Sequence, residues 1–576
     1  MPLRITIGAH SDKGQKPGNQ DFHGALIPDE PALSLKGIAI AIADGISSSE
    51  VSHIASESAV KSFLTDYYCT PDAWSVKTSV RRVIAAANSW LYAQTRASQY
   101  AYDRDKGYVC TLSAIVIKAA TAHLFHIGDC RIYRPAGHSL EQLTDDHRVI
   151  ISSQQSYLGR ALGVNPEVEI DYQAIRIERG DIFVLATDGV HEHVGKRFVA
   201  NVLKENSHDL DQAARIIVAE ALAQGSADNL TIQIVRIDEL GAGDAAEIPV
   251  QAEQLPPAPL LDARTIFEGY RIVREIHASS RSHIYLAIDV ETELAVALKV
   301  PSIDLRGDGA YLKRFLMEDW IARRIDNPHV LKAFPSTRRR DHLYVVTEFV
   351  EGQTLAQWMI DHPKADLDAV RDIIEQIAKG LQALHRKEML HQDLRPQNIM
   401  IDRTRTVKII DFGSVRVSGV VEADPAADHD SILGTQQYTA PEYFLGEGGS
   451  EWSDQFSLGV IAYQMLTGRL PYGAQMARAR TRAQFRKVRY LPASGDDQAV
   501  PLWIDGALRR AVHPVAAKRY ESLSEFVFDL RHPNPAYIGG NRTPLIERNP
   551  LLFWKAATAL LAMAVIILLA ARHGGW

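Results

Sequence analysis

Two ordered sets of motifs, one in each half of the chain, constrain its fold more than any other feature. In the first half, Asp-Gly or Asp-Asn pairs at Asp44, Asp188 and Asp228 are scattered among apolar strands. In the second half, Lys299 is followed by the string HQDLRPQN and then by DFG, which begins at Asp411. A chain of 576 residues is too long for one hydrophobic core. We therefore predict two domains of roughly 240 to 280 residues each.

Composition places the boundaries of these domains. The first domain is predicted at 1–238, followed by an Ala-, Pro- and Glu-rich linker at 239–264 and a second domain at 265–532. A second linker is predicted at 533–550. The segment 551–571 is apolar except for one lysine, and about 20 such residues can cross a bilayer as a helix. We therefore expect one C-terminal transmembrane helix at 551–571.

Charge and cysteine content exclude some functional classes. The net charge of −7 gives no sign of a nucleic-acid partner. The three cysteines have no CxxC spacing, so neither a zinc knuckle nor a disulfide framework is expected. This cysteine usage fits a reducing cytosol.

The hydrophobic pattern predicts a different α+β architecture for each domain. In the first domain, short β-branched runs such as GIAIAIADG and DIFVLATDG alternate with two stretches of helical periodicity, at 50–65 and 78–96. This pattern predicts a β-sandwich flanked by helices. The second domain begins with four strand-like runs and turns helical after Thr354, which predicts a bilobal domain with a cleft between its lobes.

Acidic residues at strand ends in the first domain suggest a metal centre. Carboxylates that converge on one point repel one another unless cations neutralise them, and hard divalent metals bind through oxygen. Two Mg²⁺ or Mn²⁺ ions about 4 Å apart can lower the pKa of a shared water and direct it at phosphorus. The expected chemistry is hydrolysis of a phosphoester.

The ordered motifs of 1–237 resemble those of the metal-dependent type 2C protein phosphatases. The matching strings are Asn19-Gln20-Asp21, Ala43-Asp44-Gly45, Gly128-Asp129-Cys130-Arg131, Leu143-Thr144-Asp145-Asp146-His147, Ala186-Thr187-Asp188-Gly189 and Asp228-Asn229. The resemblance implies a binuclear Mn²⁺ or Mg²⁺ site, with a third and weaker ion. It also implies the metal-site residues: Asp44 as the bridge, the Gly45 carbonyl, Asp188 with Asp228, Asp21 through water, and Asp129 with Asp188 for the third ion.

The first domain departs from this family at three places. Lys16 stands where the family often has an arginine that grips the substrate phosphate, and a lysine lacks the bidentate fork. Ile46-Ser47-Ser48 follows Asp44-Gly45 in place of small glycines, and 147–162 is too short for the family's full flap. An unusual substrate choice is therefore expected. His191-Glu192-His193 has an alternative interpretation as a metal site, although a helix is expected to begin there.

The second domain carries residues suited to phosphoryl transfer from ATP. Lys299 lies on a predicted strand and Glu318 in the helix that follows, where an ion pair would hold the lysine against the phosphates. Asp393 is the expected base, and Asn398 and Asp411 are the expected Mg²⁺ ligands. These residues closely resemble those of the eukaryotic-like Ser/Thr protein kinases over about 267–532. Arg395, two residues after the base, favours Ser/Thr over Tyr as the acceptor.

The nucleotide loop is the weakest match to the kinase pattern. His277, Ser279 and Ser282 stand where the family has three glycines, and each added Cβ restricts the approach of backbone N–H groups to phosphate. We expect Ser279 and Ser282 to line the ATP site, with weakened binding. Gln392 replaces the family's usual arginine beside the base, so phosphorylation of the activation loop is expected to matter less.

Together these features predict a membrane-tethered bifunctional enzyme with both domains in the cytoplasm, where ATP is. It would phosphorylate Ser/Thr of proteins with ATP and Mg²⁺ and hydrolyse phospho-Ser/Thr with two or three Mn²⁺ or Mg²⁺ ions. The chain itself is one candidate substrate, and no nucleic-acid partner is expected. The alternative is an active phosphatase regulated by a nucleotide-binding pseudokinase scaffold.

Overall fold

The computed structural model describes residues 3–103, 106–152, 155–241, 255–305, 308–335, 338–423, 437–494, 500–538 and 550–573. Within these ranges, the side chains of residues 149–157, 303, 310, 423, 477, 538, 550–552 and 565–573 lie outside the description.

The first domain is built on two five-stranded antiparallel sheets and a separate hairpin. One sheet has the order β1-β12-β11-β6-β7, the other has the order β10-β5-β4-β3-β2, and β8 pairs with β9. The strands are β1 Arg4–Asp12, β2 Asp21–Leu26, β3 Ile38–Asp44, β4 Leu112–Lys118, β5 Thr121–Ile127, β6 Arg131–Ala136, β7 Ser139–Gln142, β8 Arg148–Ser152, β9 Gln155–Leu158, β10 Asp171–Arg176, β11 Ile182–Ala186 and β12 Leu230–Glu239. The helices are α1 Ala32–Lys36, α2 Ser52–Cys69, α3 Val76–Ala97, α4 Asp188–His191, α5 Lys196–Glu205 and α6 Leu210–Ala223.

Strand β3 shows how the sequence specifies the layers of this domain. Its alanines at 39, 41 and 43 pack with residues of α2 and α3 on one face. Its isoleucines at 38, 40 and 42 point the other way, into the core between the two sheets. Successive side chains of a strand alternate between faces, so this alternation places small residues under the helices and large ones inside the sandwich. With α5 and α6 packed on the other sheet, the predicted β-sandwich flanked by helices is confirmed.

The second domain has the predicted two lobes. The small lobe holds the antiparallel sheet β13-β14-β15-β16-β17 and the helix Gly309–Arg324. The strands of this domain are β13 Ile266–Phe267, β14 Tyr270–Ala278, β15 Ser282–Asp289, β16 Ala295–Pro301, β17 Val345–Glu348, β18 Gly352–Thr354, β19 Met389–Leu390, β20 Ile399–Asp402, β21 Val407–Ile409 and β22 Arg416–Val417. The larger lobe is helical, with helices Leu355–Asp361, Leu367–His385, Ser418–Ala423, Pro441–Phe444, Glu451–Thr467, Gln475–Arg478, Arg482–Lys487, Leu502–Ala511, Leu523–Arg531 and Pro535–Ile538.

Parts of both predicted linkers pack against the second domain. In the first linker, Pro257 forms a parallel bridge with Leu343 and Ala258 is buried in the small-lobe core. In the second, Tyr537 packs against the large lobe beside Gly506. Residues 242–254 and 539–549 of these linkers lie outside the described residues. The described ends of both linkers therefore belong to the packed domain, because their apolar side chains are buried in its cores.

The predicted transmembrane helix at 551–571 is not supported. The backbone is helical over Pro550–His573, with side chains described only for 553–564. Crossing a bilayer takes about 20 apolar residues in one helix. Over the part of the chain that the structure describes, no helix combines the length and the apolar character that such a span requires.

Candidate active sites

The first site forms where the two sheets of the sandwich bring strand ends together. Asp21 at the start of β2 lies directly opposite Asp44 at the end of β3. The Thr111 hydroxyl accepts a hydrogen bond from the Asp44 N–H (2.9 Å). Asp21 Oδ2 accepts one from the Thr187 hydroxyl (2.9 Å), whereas no described residue bonds to the buried Asp21 Oδ1. This orphaned carboxylate oxygen is available to a ligand.

The other sheet contributes the remaining carboxylates. Asp188 follows β11, Asp228 precedes the neighbouring β12, and Asp129 lies between β5 and β6. A Cβ at Gly189 would lie 2.0 Å from the carbonyl oxygen of Asn229, so only glycine lets the two Asp-bearing turns approach each other. The Asp-Gly pair at 188 is therefore a packing requirement as well as a chemical motif.

The pKa values of these carboxyls show how closely they converge. Burial raises the pKa of Asp21 to about 6 and that of Asp188 to about 7. Burial also raises the pKa of Asp44 well above its ordinary value, and the charges of Asp21, Asp188 and Asp129 raise it further. Like charges this close are unfavourable without a cation. The donor set, all carboxylate and carbonyl oxygen, fits a hard divalent metal.

Two basic side chains occupy the acidic cluster in this structure. Arg148 Nε donates to Asp129 Oδ2 (2.6 Å) and Nη2 to Asp188 Oδ2 (2.9 Å), and Nη1 pairs with Glu192. Lys16 Nζ lies 3.2 Å from Asp228 Oδ1. Among the described residues, no three His, Cys, Asp or Glu side chains are arranged to hold a metal ion. The carboxylates suit a metal chemically, and Arg148 and Lys16 compete with a metal for one oxygen each of Asp129, Asp188 and Asp228.

This geometry bears on two expectations about the first site. Lys16 was expected to contact the substrate phosphate. In the structure it instead forms an ion pair with Asp228, a predicted metal ligand, because their opposite charges lie 3.2 Å apart. His191 bonds through Nε2 to the Asp129 carbonyl (3.0 Å) and Glu192 pairs with Arg148, which does not support the alternative metal site at 191–193.

In the second site, Lys299 and Glu318 form the predicted ion pair. Lys299 Nζ on β16 lies 2.7 Å and 2.6 Å from the two carboxylate oxygens of Glu318 on the helix Gly309–Arg324. Burial lowers the pKa of Lys299, but the charges of Glu318 and Asp411 outweigh burial and raise it to about 12. Lys299 is therefore cationic at neutral pH and is held in the cleft.

Asp411 lies beside this pair. Burial alone would raise the pKa of Asp411, but the charge of Lys299 and the Gly413 N–H (3.1 Å) hold it below the usual range. A Cβ at Gly413 would lie 3.0 Å from Glu318 Oε1, so a larger residue there would crowd the carboxylate of the ion pair. The DFG segment thus joins the ion pair in one charged cluster.

The catalytic loop holds Asp393, Arg395 and Asn398 together. Asn398 Nδ2 donates to the Asp393 carbonyl (2.9 Å) and to its Oδ2 (3.2 Å). Arg395 Nε lies 3.4 Å from Asp393 Oδ2 and donates to Asn398 Oδ1 (3.3 Å). The three predicted residues are therefore brought into one hydrogen-bonded group.

A buried carboxylate beneath this loop fixes its path. Asp454 accepts hydrogen bonds from the backbone N–H groups of His391 (2.9 Å) and Gln392 (3.0 Å) and from His385 Nε2 (2.8 Å). Gln392 has φ +64°, a left-handed conformation that is unusual for a residue with a side chain. The backbone hydrogen bonds that Asp454 accepts offset the cost of this conformation.

The nucleotide loop between β14 and β15 closes on itself. The Ser279 N–H and hydroxyl both donate to the Ser282 carbonyl (3.0 and 3.1 Å), and the Ser282 N–H donates to the Ser279 hydroxyl (3.1 Å). Ser279 and Ser282 thus use their own hydrogen-bonding groups to build the turn. The predicted contact of these serines with ATP requires the turn to open.

Two residues of these sites were missed by the sequence reasoning. Arg148 immediately follows the Leu143-to-His147 motif, so its position beside a metal-site string was the available signal. His385 ends the helix Leu367–His385, and nothing in the local pattern points to its partner 69 residues later. The roles of the residues that were predicted for both sites stay predictions.

Comparison with known proteins assigns a family to each half. The model of the Protein phosphatase 2C family matches residues 8–224, and the Protein kinase domain model matches residues 270–534. Relatives include the serine/threonine-protein kinase PrkC of Bacillus subtilis, 27% identical over 47% of this chain and 41% of that protein. PknL of Mycobacterium tuberculosis is 33% identical over 38% of this chain and 53% of that protein. This chain therefore spans about half the length of these relatives, or less.

Solved structures resemble each half separately. The kinase domain of PknI from Mycobacterium tuberculosis is 25% identical, with 47% of this chain and 98% of that chain covered and a TM-score of 0.37. PppA from Pseudomonas aeruginosa is 22% identical, with 41% and 99% covered and a TM-score of 0.35. From the two family matches, this chain consists of a protein phosphatase 2C domain followed by a Ser/Thr protein kinase domain.

Proposed function

We propose that this chain is a bifunctional signalling enzyme that phosphorylates Ser/Thr of proteins and hydrolyses phospho-Ser/Thr. The observation that carries the kinase half is the assembled cluster of Lys299, Glu318 and Asp411. The kinase reaction requires an intact lysine–glutamate pair together with the metal-binding aspartate of the DFG segment. The phosphatase half rests on the converging carboxylates.

In the kinase site each residue has a distinct part. Lys299 binds the α and β phosphates of ATP, and Glu318 holds Lys299 in place. Asp393 accepts the proton of the substrate hydroxyl, and Arg395 stabilises the negative charge beside it. Asn398 and Asp411 hold Mg²⁺, which supplies charge neutralisation on the transferred phosphoryl group.

In the phosphatase site the carboxylates hold two or three Mg²⁺ or Mn²⁺ ions. The ligands are Asp44, the Gly45 carbonyl, Asp188 and Asp228, with Asp21 acting through water and Asp129 on a third ion. Bound metal supplies a water of lowered pKa as the nucleophile. Lys16 and Arg148, which lie beside Asp228 and Asp129, carry positive charge that would attract the substrate phosphate to the site.

The test of this function is phosphate incorporation from labelled ATP into the Asp44→Ala chain, in which the phosphatase cannot remove the product. Incorporation that Asp393→Ala abolishes establishes the kinase. Release of phosphate from phosphopeptides by the parent chain, and not by Asp44→Ala, establishes the phosphatase. A parent chain that fails both assays with Mg²⁺ and Mn²⁺ present would refute the proposal.

The second candidate is a phosphatase regulated by a kinase-like scaffold. The closed Ser279–Ser282 turn favours it, because backbone N–H groups engaged in the turn are not available to phosphate. ATP binding by the chain with no Asp393-dependent incorporation, beside an active phosphatase, would identify this alternative.

The protein substrates and the cellular location are also proposals. We place both domains in the cytoplasm, because ATP is there, and take proteins that carry Ser/Thr or phospho-Ser/Thr as partners, with the chain itself among them. Fractionation of cells that express the tagged chain tests the location, since recovery of the tag from an exported fraction contradicts it.

A further inference from the structure

The phosphatase domain inserts one turn into the kinase domain. This docking turn, Asp72–Thr78, comprises the end of the connection between α2 and α3 and the first residues of α3. Ala73 is 1% exposed and belongs to the large hydrophobic core of the kinase domain. Trp74 Nε1 donates to the carbonyl of Arg386 (2.8 Å), just before the catalytic loop. Residues more than 300 positions apart thus share one core.

Backbone groups hold the docking turn on the helix Ser418–Ala423 of the kinase domain. The Gly419 N–H donates to the Ala73 carbonyl (2.9 Å), and Lys118 Nζ of the phosphatase domain donates to the Gly419 carbonyl (2.6 Å). A Cβ at Gly419 would lie 2.6 to 2.9 Å from the carbonyl oxygens of residues 72–74. The fit therefore requires glycine at 419, for a reason that lies entirely in the other domain.

Kinase carboxylates also cap the phosphatase helix α3. Glu388 accepts hydrogen bonds from the Ser75 N–H and the Thr78 hydroxyl, both 2.6 Å. Glu422 accepts one from the Val76 N–H (2.8 Å) and lies 3.7 Å from Lys118 Nζ, whose side chain is 1% exposed. The first N–H groups of a helix need acceptors and favour negative charge. Here a different domain supplies both.

The docked kinase elements are those that carry its chemistry. Asp72 pairs with Arg324 (3.3 Å), the last residue of the helix that bears Glu318. Glu388 immediately precedes β19, which pairs with β22. The helix Ser418–Ala423 follows β22 and begins five residues after Gly413. One turn therefore contacts the Glu318 helix, the approach to the catalytic loop and the segment after DFG.

We propose that the phosphatase domain has a second function as a docking partner of the kinase domain, in which the turn Asp72–Thr78 positions the segment after DFG and the Glu318 helix for catalysis. The docking itself stands on the contacts alone, and its effect on kinase rate rests on the proposed function. Asp72–Thr78 is a positioning element, since it touches none of the reacting groups.

The substitution Gly419→Ala tests this proposal in the full-length chain. Alanine favours a helix over glycine, so the variant weakens docking without weakening the helix Ser418–Ala423 itself. Gly448→Ala is the matched control, because no described atom lies within 4 Å of a Cβ at 448. Glu388→Gln/Glu422→Gln is a second variant, which removes charge from the interface and adds no volume.

Hydrogen exchange at residues 75–78 reports docking, and labelled ATP in the Asp44→Ala background reports kinase rate. We expect Gly419→Ala and the double variant to speed exchange at Ser75 and Val76 by about tenfold or more. We expect the kinase rate to fall by a similar factor. Phosphatase turnover, measured in chains that keep Asp44, should stay unchanged. Gly448→Ala should change neither hydrogen exchange nor kinase rate.

Two results would overturn the proposal. Unchanged exchange in both interface variants contradicts the docking, and faster exchange with an unchanged or raised kinase rate contradicts the positioning role. A parent chain with no kinase activity refutes the proposed kinase function and the positioning role with it. The exchange measurement then still decides whether the domains dock.

Discussion

At the scale of single residues, Arg148 supplies positive charge to the acidic cluster of the phosphatase domain. Its guanidinium bonds to Asp129 and Asp188 and pairs with Glu192, in a cluster whose carboxyls repel one another. Arginine stays charged at every physiological pH and presents several donors. Arg148 thus neutralises part of the negative charge of the acidic cluster.

We expect Arg148→Ala to tighten metal binding. Removing a cation that competes for Asp129 and Asp188 should lower the dissociation constant for Mn²⁺ by about two- to fivefold, the range for exposed ion pairs that contribute up to about 1 kcal/mol. Isothermal titration calorimetry measures it directly. Arg134→Ala is the control, because Arg134 pairs with Asp181 and with none of the predicted ligands. Weaker Mn²⁺ binding in Arg148→Ala would show that Arg148 assists the metal.

In the kinase domain, Asp454 is the buried charged residue that holds the catalytic loop through hydrogen bonds. Burial would raise the pKa of Asp454, but its hydrogen bonds, first that from His385, hold it below the usual range. A group with a depressed pKa stabilises the folded state at pH above its ordinary value of 3.8, and this contribution is lost as pH falls through the folded pKa. Asp454 should therefore stabilise the catalytic loop fully at neutral pH.

We expect Asp454→Asn to lower the midpoint of kinase-domain unfolding by roughly 5 to 10 °C, because a buried charged acceptor of three hydrogen bonds is lost. Calorimetry at pH 7 measures the shift, and the difference from the parent should shrink below about pH 4. Asp368→Asn, whose side chain is 76% exposed and lies on the same lobe, should change little. A shift independent of pH would show that charge is not the cause.

At the scale of elements, the nucleotide loop shows how side chains can replace a glycine pattern. Where glycines would leave the backbone open to phosphate, Ser279 and Ser282 bond to each other across the turn from β14 to β15. The carbonyl of Arg281 at its tip also accepts the N–H of Ser302 (2.7 Å). The loop is anchored to the lobe at its tip as well as closed across its base.

We expect Ser279→Gly/Ser282→Gly to lower the KM for ATP by about three- to tenfold. The hydrogen bonds of the Ser279 hydroxyl with the Ser282 carbonyl, the Ser282 N–H and the Arg281 N–H, each contributing about 1 kcal/mol or less, then no longer oppose opening of the loop. Initial rates of phosphate incorporation at varied ATP measure KM, with phosphatase turnover as the internal control. An unchanged KM would mean that the loop opens at no cost.

At the scale of the whole molecule, the two domains are joined in one chain and pack together through Ala73 in the core of the kinase domain. Tethered sites experience an effective concentration in the millimolar range when geometry permits contact. We therefore propose that the phosphatase reverses phosphorylation of its own chain faster than it acts on separate molecules.

We expect loss of phosphate from the autophosphorylated chain to be first order, with a rate constant that is unchanged as protein concentration varies about 100-fold. The measurement is decay of labelled chain after ATP is removed and Mn²⁺ is added. Labelled Asp44→Ala chain mixed with unlabelled parent is the control and should decay in proportion to the parent concentration. Equal rates in the two experiments would exclude a reaction within one chain.

The sequence alone was sufficient to indicate which class of reaction each half of the chain is built for. Asp44, Asp188 and Asp228 lie at the ends of strands whose alternation is visible in the sequence, and antiparallel pairing brings such ends together. Lys299, Asp393 and Asp411 belong to short strings in which spacing and residue type are enough to indicate a kinase fold. The predicted strands and helices around them were confirmed because each is encoded by local periodicity.

Only the tertiary structure decided which side chains pair with one another in these sites and how the two domains contact each other. Nothing near Gly419 shows that its missing Cβ makes room for residues 72–74, because the contact joins segments about 345 positions apart. The pairing of Arg148 with Asp188 and the closure of the Ser279 turn likewise depend on which groups lie opposite in space. Periodicity and motif spacing record local conformation, whereas packing between distant segments and the neutralisation of buried charge are properties of the assembled chain.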